Sequence, residues 1–217
     1  MINKDTKIYC SFSSKAGNKG CNFFNEAFRK QNIDAIYKSF SVRDIKAAVQ
    51  AVRTLSISGF AVSMPFKTHV LEYIDDFAEE VALIGAANTI INDDGKLKAY
   101  NTDFLAAKSV LFDHLGIELT SSPLPLYILG NGGYAKAVAY GAKSLGYKPQ
   151  TITRGNWGDI GEINNSIIFN CTPVENVAVN ASNRYIDCIT TTESGARLSR
   201  IQASHQFKLY TNQELIE

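Results

Sequence analysis

Apolar positions along this chain switch repeatedly between strand-like alternation and helix-like spacing, which predicts an α/β protein. Lys7 to Phe12 reads as a strand, Phe23 to Lys30 as a helix and Ile36 to Phe40 as the next strand. Ile45, Ala48, Val49, Val52 and Leu55 then form one buried helical stripe, with Ser41 as its cap and Asp44 three residues on. Gly59 to Ser63 is a third strand, and Pro65 suits the first turn of a helix after it. Ile90-Ile91 and Leu97 to Tyr100 flank Asn92-Asp93-Asp94-Gly95, whose Asp-Gly is a strong hairpin signal. Thr102 can cap a helix from about Phe104 to Leu115. Strands at Leu126–Leu129, Gln150–Thr153, Ser166–Asn170 and Tyr185–Cys188 follow, with helices at Ala135–Leu145 and Ser194–Tyr210. Such alternation argues for mainly parallel sheets covered on both faces. Phe104 to Leu119 reads as the connector between two α/β domains, and Thr120-Ser121-Ser122-Pro123 breaks the chain after it.

The stretch Leu126 to Val138, LYILGNGGYAKAV, is strand, glycine turn, helix with the spacing G-x-G-x-x-A. In dinucleotide-binding folds this spacing has a mechanical reason. Gly130 allows the tight turn, Gly132 lets backbone approach a pyrophosphate, and the small Ala135 lets the helix lie close on the strand. The positive end of the helix then faces the phosphates. The alternative is an ordinary strand-to-helix turn that happens to hold three glycines.

Composition adds mostly exclusions. A formal net charge of +1 gives no basic field for nucleic acid or a membrane surface, and no apolar run is long enough to span a bilayer. The start, MINKDTKIYCSF, lacks a secretory pattern, and Cys10, Cys21, Cys171 and Cys188 show no C-x-x-C pair. Reduced thiols in a cytoplasmic protein are the expectation. His69, His114 and His205 have no ligand-like spacing, so no metal site is expected.

Several short stretches, in order along the chain, resemble the shikimate dehydrogenase family. Ser63-Met64-Pro65-Phe66-Lys67 is similar to its V-T-x-P-x-K segment, and Gly85-Ala86-Ala87-Asn88-Thr89 to its G-A-x-N-T. Asn101-Thr102-Asp103 resembles its N-T-D, Gly130 to Ala137 its G-x-G-G-x-x-x-A loop, and Asn170-Cys171-Thr172-Pro173 its N-x-T-P. Gly195 to Tyr210, with Gln202, is similar to its closing helix. The resemblance implies an N-terminal three-layer α/β substrate domain, residues 1–103, on which a C-terminal helix, 194–217, folds back. A reduced Rossmann-type dinucleotide-binding domain would span residues 104–193. The implied reaction is the reversible NADP-dependent reduction of 3-dehydroshikimate to shikimate, in aromatic amino-acid biosynthesis, by a monomer or homodimer.

Under the resemblance Lys67 and Asp103 match the acid–base pair, and Ser11, Ser13, Ser63, Asn88 and Gln202 match the substrate-holding positions. Gly130, Asn131, Gly132, Gly133, Tyr134, Ala135, Arg154, Asn170 and Thr172 fall at the cofactor. Taken alone, Lys67 is a solvated lysine, Asp103 a helix N-terminal charge and Gln202 a surface glutamine. An amide such as Asn88 suits a polyhydroxylated ring because it both donates and accepts. The second strand of the cofactor domain ends in Arg154 with no acid before Asp159, which favours the 2′-phosphate of NADP over the 2′-hydroxyl of NAD.

The match frays in three places. Ser11-Phe12-Ser13-Ser14 lacks the family's S-x-S-P proline and Phe24-Asn25 replaces its H-N, so Asn18, Lys19 and Asn22 are alternative carboxylate ligands. Little room remains for a crossover between Arg154 and Ser166. Glu175-Asn176 and Thr190-Thr191-Thr192 also depart from the pattern. A divergent member acting on quinate or another hydroxy acid, or a non-catalytic dinucleotide- or metabolite-binding regulator, are the competing expectations.

Overall fold

The computed structural model describes residues 2–115 and 124–216, so the end of the expected connector and the break at 120–123 lie outside the described residues. Two compact units divide the chain, residues 1–102 with 203–217 and residues 103–202.

In the first unit, β1 (Lys7–Ser13) pairs in parallel with β2 (Ala35–Ser41) on one side and β3 (Gly59–Val62) on the other. β5 (Thr89–Asp93) runs antiparallel to β3, β6 (Lys96–Tyr100) antiparallel to β5, and the short β4 (Asp76–Phe77) parallel to β6. The sheet is therefore mixed, in the order β2-β1-β3-β5-β6-β4. Alternation along β1 builds three layers. Cys10 and Phe12 face α2 (Ile45–Thr54), whereas Tyr9 faces α1 (Lys19–Lys30) and the Ala203–Phe207–Tyr210 stripe of α6 (Glu193–Thr211). The Asp94-Gly95 turn has φ of 48° and 87°, the paired left-handed geometry a two-residue hairpin needs.

Three local expectations are corrected. Asp44, not Ser41, caps α2: its carboxylate accepts from the backbone N–H of Lys46 at 2.8 Å and of Ala47 at 3.2 Å. Ser41 remains in β2, where its hydroxyl accepts from the Ala16 N–H. Leu55 is 66% exposed because it is the C-cap of α2, one residue past the helical stripe. Pro65 follows a cis peptide bond inside a turn, and the next helical segment is a 3-10 stretch at His69–Tyr73.

The second unit holds four parallel strands in the order β10-β9-β7-β8: β7 (Leu126–Leu129), β8 (Gln150–Ile152), β9 (Ile167–Asn170) and β10 (Arg184–Asp187). α4 (Asp103–Leu115) and α5 (Gly133–Ser144) cover one face together with Leu198, and Ile160 and Ile163 cover the other. The crossover from β8 to β9 fits its short length by 3-10 turns at Arg154–Glu162. β8 and β9 flank β7, so the chain reverses direction across the sheet at the β7 edge, where α/β folds place ligands.

α4 and α5 approach closely at Gly141, where a β-carbon would lie 2.8 Å from the Phe104 carbonyl. Gly141→Ala must push the helices apart and is expected to destabilise the protein by about 1–3 kcal/mol, read by urea denaturation.

Candidate functional site

The strand directions of the first sheet gather its chemistry on one edge. β1 and β3 end there, β5 begins there and β6 ends there. Ser13, Ser63, Asn88 and the Asn101-Thr102-Asp103 turn therefore lie side by side along the carboxyl edge of β1 and β3. The Ser63 N–H donates to the Phe12 carbonyl at 2.9 Å, which keeps Ser63 in register beside Ser13. Lys67 is half-buried on the turn that follows, and its carbonyl accepts from the Ala87 N–H at 2.8 Å. Segment 86–89 thus carries both the Lys67 backbone and the approach to Asp103.

Asn88 is the node of this edge. It is 2% exposed, and its Oδ1 accepts from the Thr102 N–H at 2.8 Å and from the Thr89 hydroxyl at 2.9 Å. Its Nδ2 donates to the Thr102 hydroxyl at 2.9 Å, and the Asn101 amide donates to the Ala86 carbonyl at 2.9 Å. Asp103 follows directly as the first residue of α4, buried to 3% exposure, where the helix N-terminus favours its negative charge.

The opening serines differ from one another. Ser13 is half-buried at the sheet edge, whereas Ser11 hydrogen-bonds the buried Tyr37 phenol, whose pKa burial pushes up. Asn25 is spent on structure: it donates to the Tyr37 carbonyl at 2.9 Å and accepts from the Tyr37 N–H at 2.8 Å. The alternatives Asn18, Lys19 and Asn22 are exposed at the start of α1. Gln202 is half-buried and donates to the Ser199 carbonyl of its own helix at 3.1 Å.

In the second unit the glycine turn leaves β7 at Gly130, whose φ is +101° and whose N–H donates to the Ile152 carbonyl at 2.8 Å. A β-carbon on Gly130 would sit 2.9 Å from the Thr172 methyl, so the turn abuts the loop after β9. Gly132 is the N-cap of α5, and a β-carbon there would meet open space. No side chain caps this helix, which leaves its first-turn amides suited to an anion. Ala135 is buried against the sheet. Gly133 opens α5 and Asn131 is exposed beside it. Tyr134 packs on Phe169 with ring centroids 6.5 Å apart. Burial, with Cys171, Asp103 and Cys188 nearby, raises its phenol well above the usual range. Asn170 is fully buried and its Oδ1 accepts from the Thr172 N–H at 3.0 Å and hydroxyl at 2.7 Å, shaping the loop. Arg154 is exposed as the first residue after Thr153, which caps the 3-10 segment.

Two buried polar residues escaped the reading of the sequence. Asp187, at the end of β10, accepts from the Ile189 N–H at 2.8 Å and holds the approach to α6. Gln206, 3% exposed, donates to the Thr89 hydroxyl at 2.8 Å. Its signal was present, since it falls on the Ala203–Phe207–Tyr210 stripe. Among the described residues no cluster of His, Cys, Asp and Glu could hold a metal ion.

Residues 18–90 match the family model described as the shikimate dehydrogenase substrate binding domain. A shikimate dehydrogenase-like protein of Haemophilus influenzae is 39% identical over 157 residues, covering 72% of this chain and 56% of that protein. These matches support a shikimate dehydrogenase-like family member. A shikimate dehydrogenase (NADP(+)) of Pyrococcus furiosus is 37% identical over 142 residues, 64% of this chain and 51% of that one. The matched region thus spans about half the length of these curated relatives. A solved shikimate 5-dehydrogenase-like protein superposes with a TM-score of 0.82 at 28% identity, covering 100% of this chain and 96% of the other. No described helix is long and apolar enough to cross a membrane.

The two turn glycines are expected to behave differently. Gly130→Ala, strained in φ and crowded by Thr172, should lower stability by about 1–3 kcal/mol in thermal denaturation. Gly132→Ala, with open space and an ordinary φ, should stay within about 0.5 kcal/mol of the parent.

Proposed function

We propose that this chain is an NADP-dependent oxidoreductase that reversibly reduces 3-dehydroshikimate to shikimate. The observation that carries the reading is the gathering of Lys67, Asn88 and the turn before Asp103 on one edge of the first sheet. In this reading residues 1–103 and the C-terminal helix 194–217 bind the acid, and residues 104–193 bind the dinucleotide. The NADP(+) dependence of the Pyrococcus furiosus relative supports the cofactor.

The second unit offers fitting parts for such a group. The uncapped start of α5 at Gly132 and Gly133 suits the pyrophosphate, and Arg154 suits a 2′-phosphate. When bound, the nicotinamide supplies the hydride. The chain must then supply a proton and orientation. Lys67 Nζ protonates the carbonyl oxygen as it gains negative charge, and it takes the proton back in the reverse direction. Asp103 accepts from a ring hydroxyl. Ser11, Ser13, Ser63, Asn88 and Gln202 hold the acid's hydroxyls and carboxylate, while Asn131, Tyr134, Ala135, Asn170 and Thr172 shape the cofactor's loops. Four free thiols accord with a cytoplasmic enzyme, a monomer or homodimer.

A second reading, a divergent enzyme acting on quinate or another hydroxy acid, is favoured by the opening segment. There Tyr37 engages Ser11 and its backbone occupies Asn25, so the carboxylate grip differs from the family pattern.

NADPH absorbance with 3-dehydroshikimate, and NADP reduction with shikimate and quinate, decide among these readings. Turnover with shikimate supports the first and turnover with quinate alone the second. A ligand-induced thermal shift without turnover supports a regulator. Lys67→Met and Asp103→Asn should each lower kcat about a hundred- to ten-thousand-fold. Arg154→Ala should weaken NADPH far more than NADH in the same assay, and equal losses remove the arginine's assignment.

A further inference from the structure

We infer that Gln206 is a positioning residue that, through Thr89, reinforces the orientation the Thr102 N–H gives the Asn88 amide, an inference resting on the proposed role of Asn88 in holding the substrate. Gln206 projects from the second half of α6 into the first sheet, on the same stripe as Ala203, Phe207 and Tyr210. An amide on an apolar stripe is costly unless its groups are bonded, so its retention needs a partner. Two are present: Nε2 donates to the Thr89 hydroxyl at 2.8 Å and to the Asn88 carbonyl at 3.2 Å.

The direction of these bonds carries the inference. Nε2 can only donate, so the Thr89 oxygen accepts from Gln206 and the single Thr89 proton points onward. It goes to Asn88 Oδ1 at 2.9 Å. That oxygen also accepts from the Thr102 N–H at 2.8 Å, and Nδ2 donates to the Thr102 hydroxyl at 2.9 Å. The relay Gln206→Thr89→Asn88 and the Thr102 N–H together hold the carbonyl end of the Asn88 amide inward. Without Gln206 the Thr89 hydroxyl is free to rotate, and Asn88 Oδ1 keeps the Thr102 N–H but loses its second fixed donor.

Gln206→Met keeps the length and removes the donor, while Thr89→Val keeps the shape and breaks the relay one step later. In the full chain, the Asn88 side-chain amide protons are identified by NMR through their loss in Asn88→Ala. In both variants they should exchange with solvent about tenfold faster, with backbone protection in β5 and α6 retained. KM for shikimate should rise about tenfold in both, with kcat and the KM for NADP within about twofold of the parent. Unchanged Asn88 exchange overturns the inference, as does an equal rise in both KM values. A parent protein that never turns over shikimate defeats the proposed function alone, and the exchange measurement still decides the role of Gln206. Should Gln206→Met fail to fold, Thr89→Val carries the same two readouts.

Discussion

One buried amide holds the edge on which the candidate chemistry is assembled. Asn88 sits at the first bend into β5, and its carbonyl oxygen and nitrogen bind both the backbone and the hydroxyl of Thr102 at the exit of β6. A buried amide left half-satisfied would cost about 1–3 kcal/mol, so the two strand ends are joined or the site does not form. Ala87 bonds the Lys67 carbonyl and Asn101 bonds the Ala86 carbonyl, so the same short segment fixes three pieces of chain.

The second unit uses its motif residues in a related way. Asn170 spends its side chain on the Thr172 N–H and hydroxyl and on the Val174 carbonyl, so its first task is to form the loop beside Gly130. Gly130 accommodates that loop through a positive φ and the lack of a β-carbon, whereas Gly132 leaves space unfilled. Short motifs of this kind mix residues that shape backbone with residues that meet a ligand, and spacing alone does not separate them.

The start of the chain shows where a shared fold diverges. Asn25 extends the edge of β2 by bonding both backbone groups of Tyr37, Ser39 and Cys21 bond side chain to side chain, and Ser11 is held by the Tyr37 phenol. Polar residues that could face a carboxylate are partly committed inward, while Ser13 and Ser63 stay in register at the edge. The chain keeps Lys67 and Asp103 of the family pattern and changes the polar residues of its opening segment.

Much was legible from residues that act locally. Asp94-Gly95 closed its hairpin because two left-handed residues match the twist of a strand pair, and the Ile45–Val52 stripe was buried because helical spacing aligns it. Local rules failed where several residues competed for one task. Asp44 outbid Ser41 as the cap because Ser41 was still paired in β2, Leu55 fell past the helix end, and Pro65 entered a turn. The chain by itself determined its element types, its glycine turn and the residue types able to move a proton. Only the tertiary structure decided that the first sheet is mixed, that strand ends more than twenty residues apart share one edge, and that Gln206 and Asp187 are buried with partners. Those facts depend on hydrogen bonds between distant segments, which no local pattern encodes.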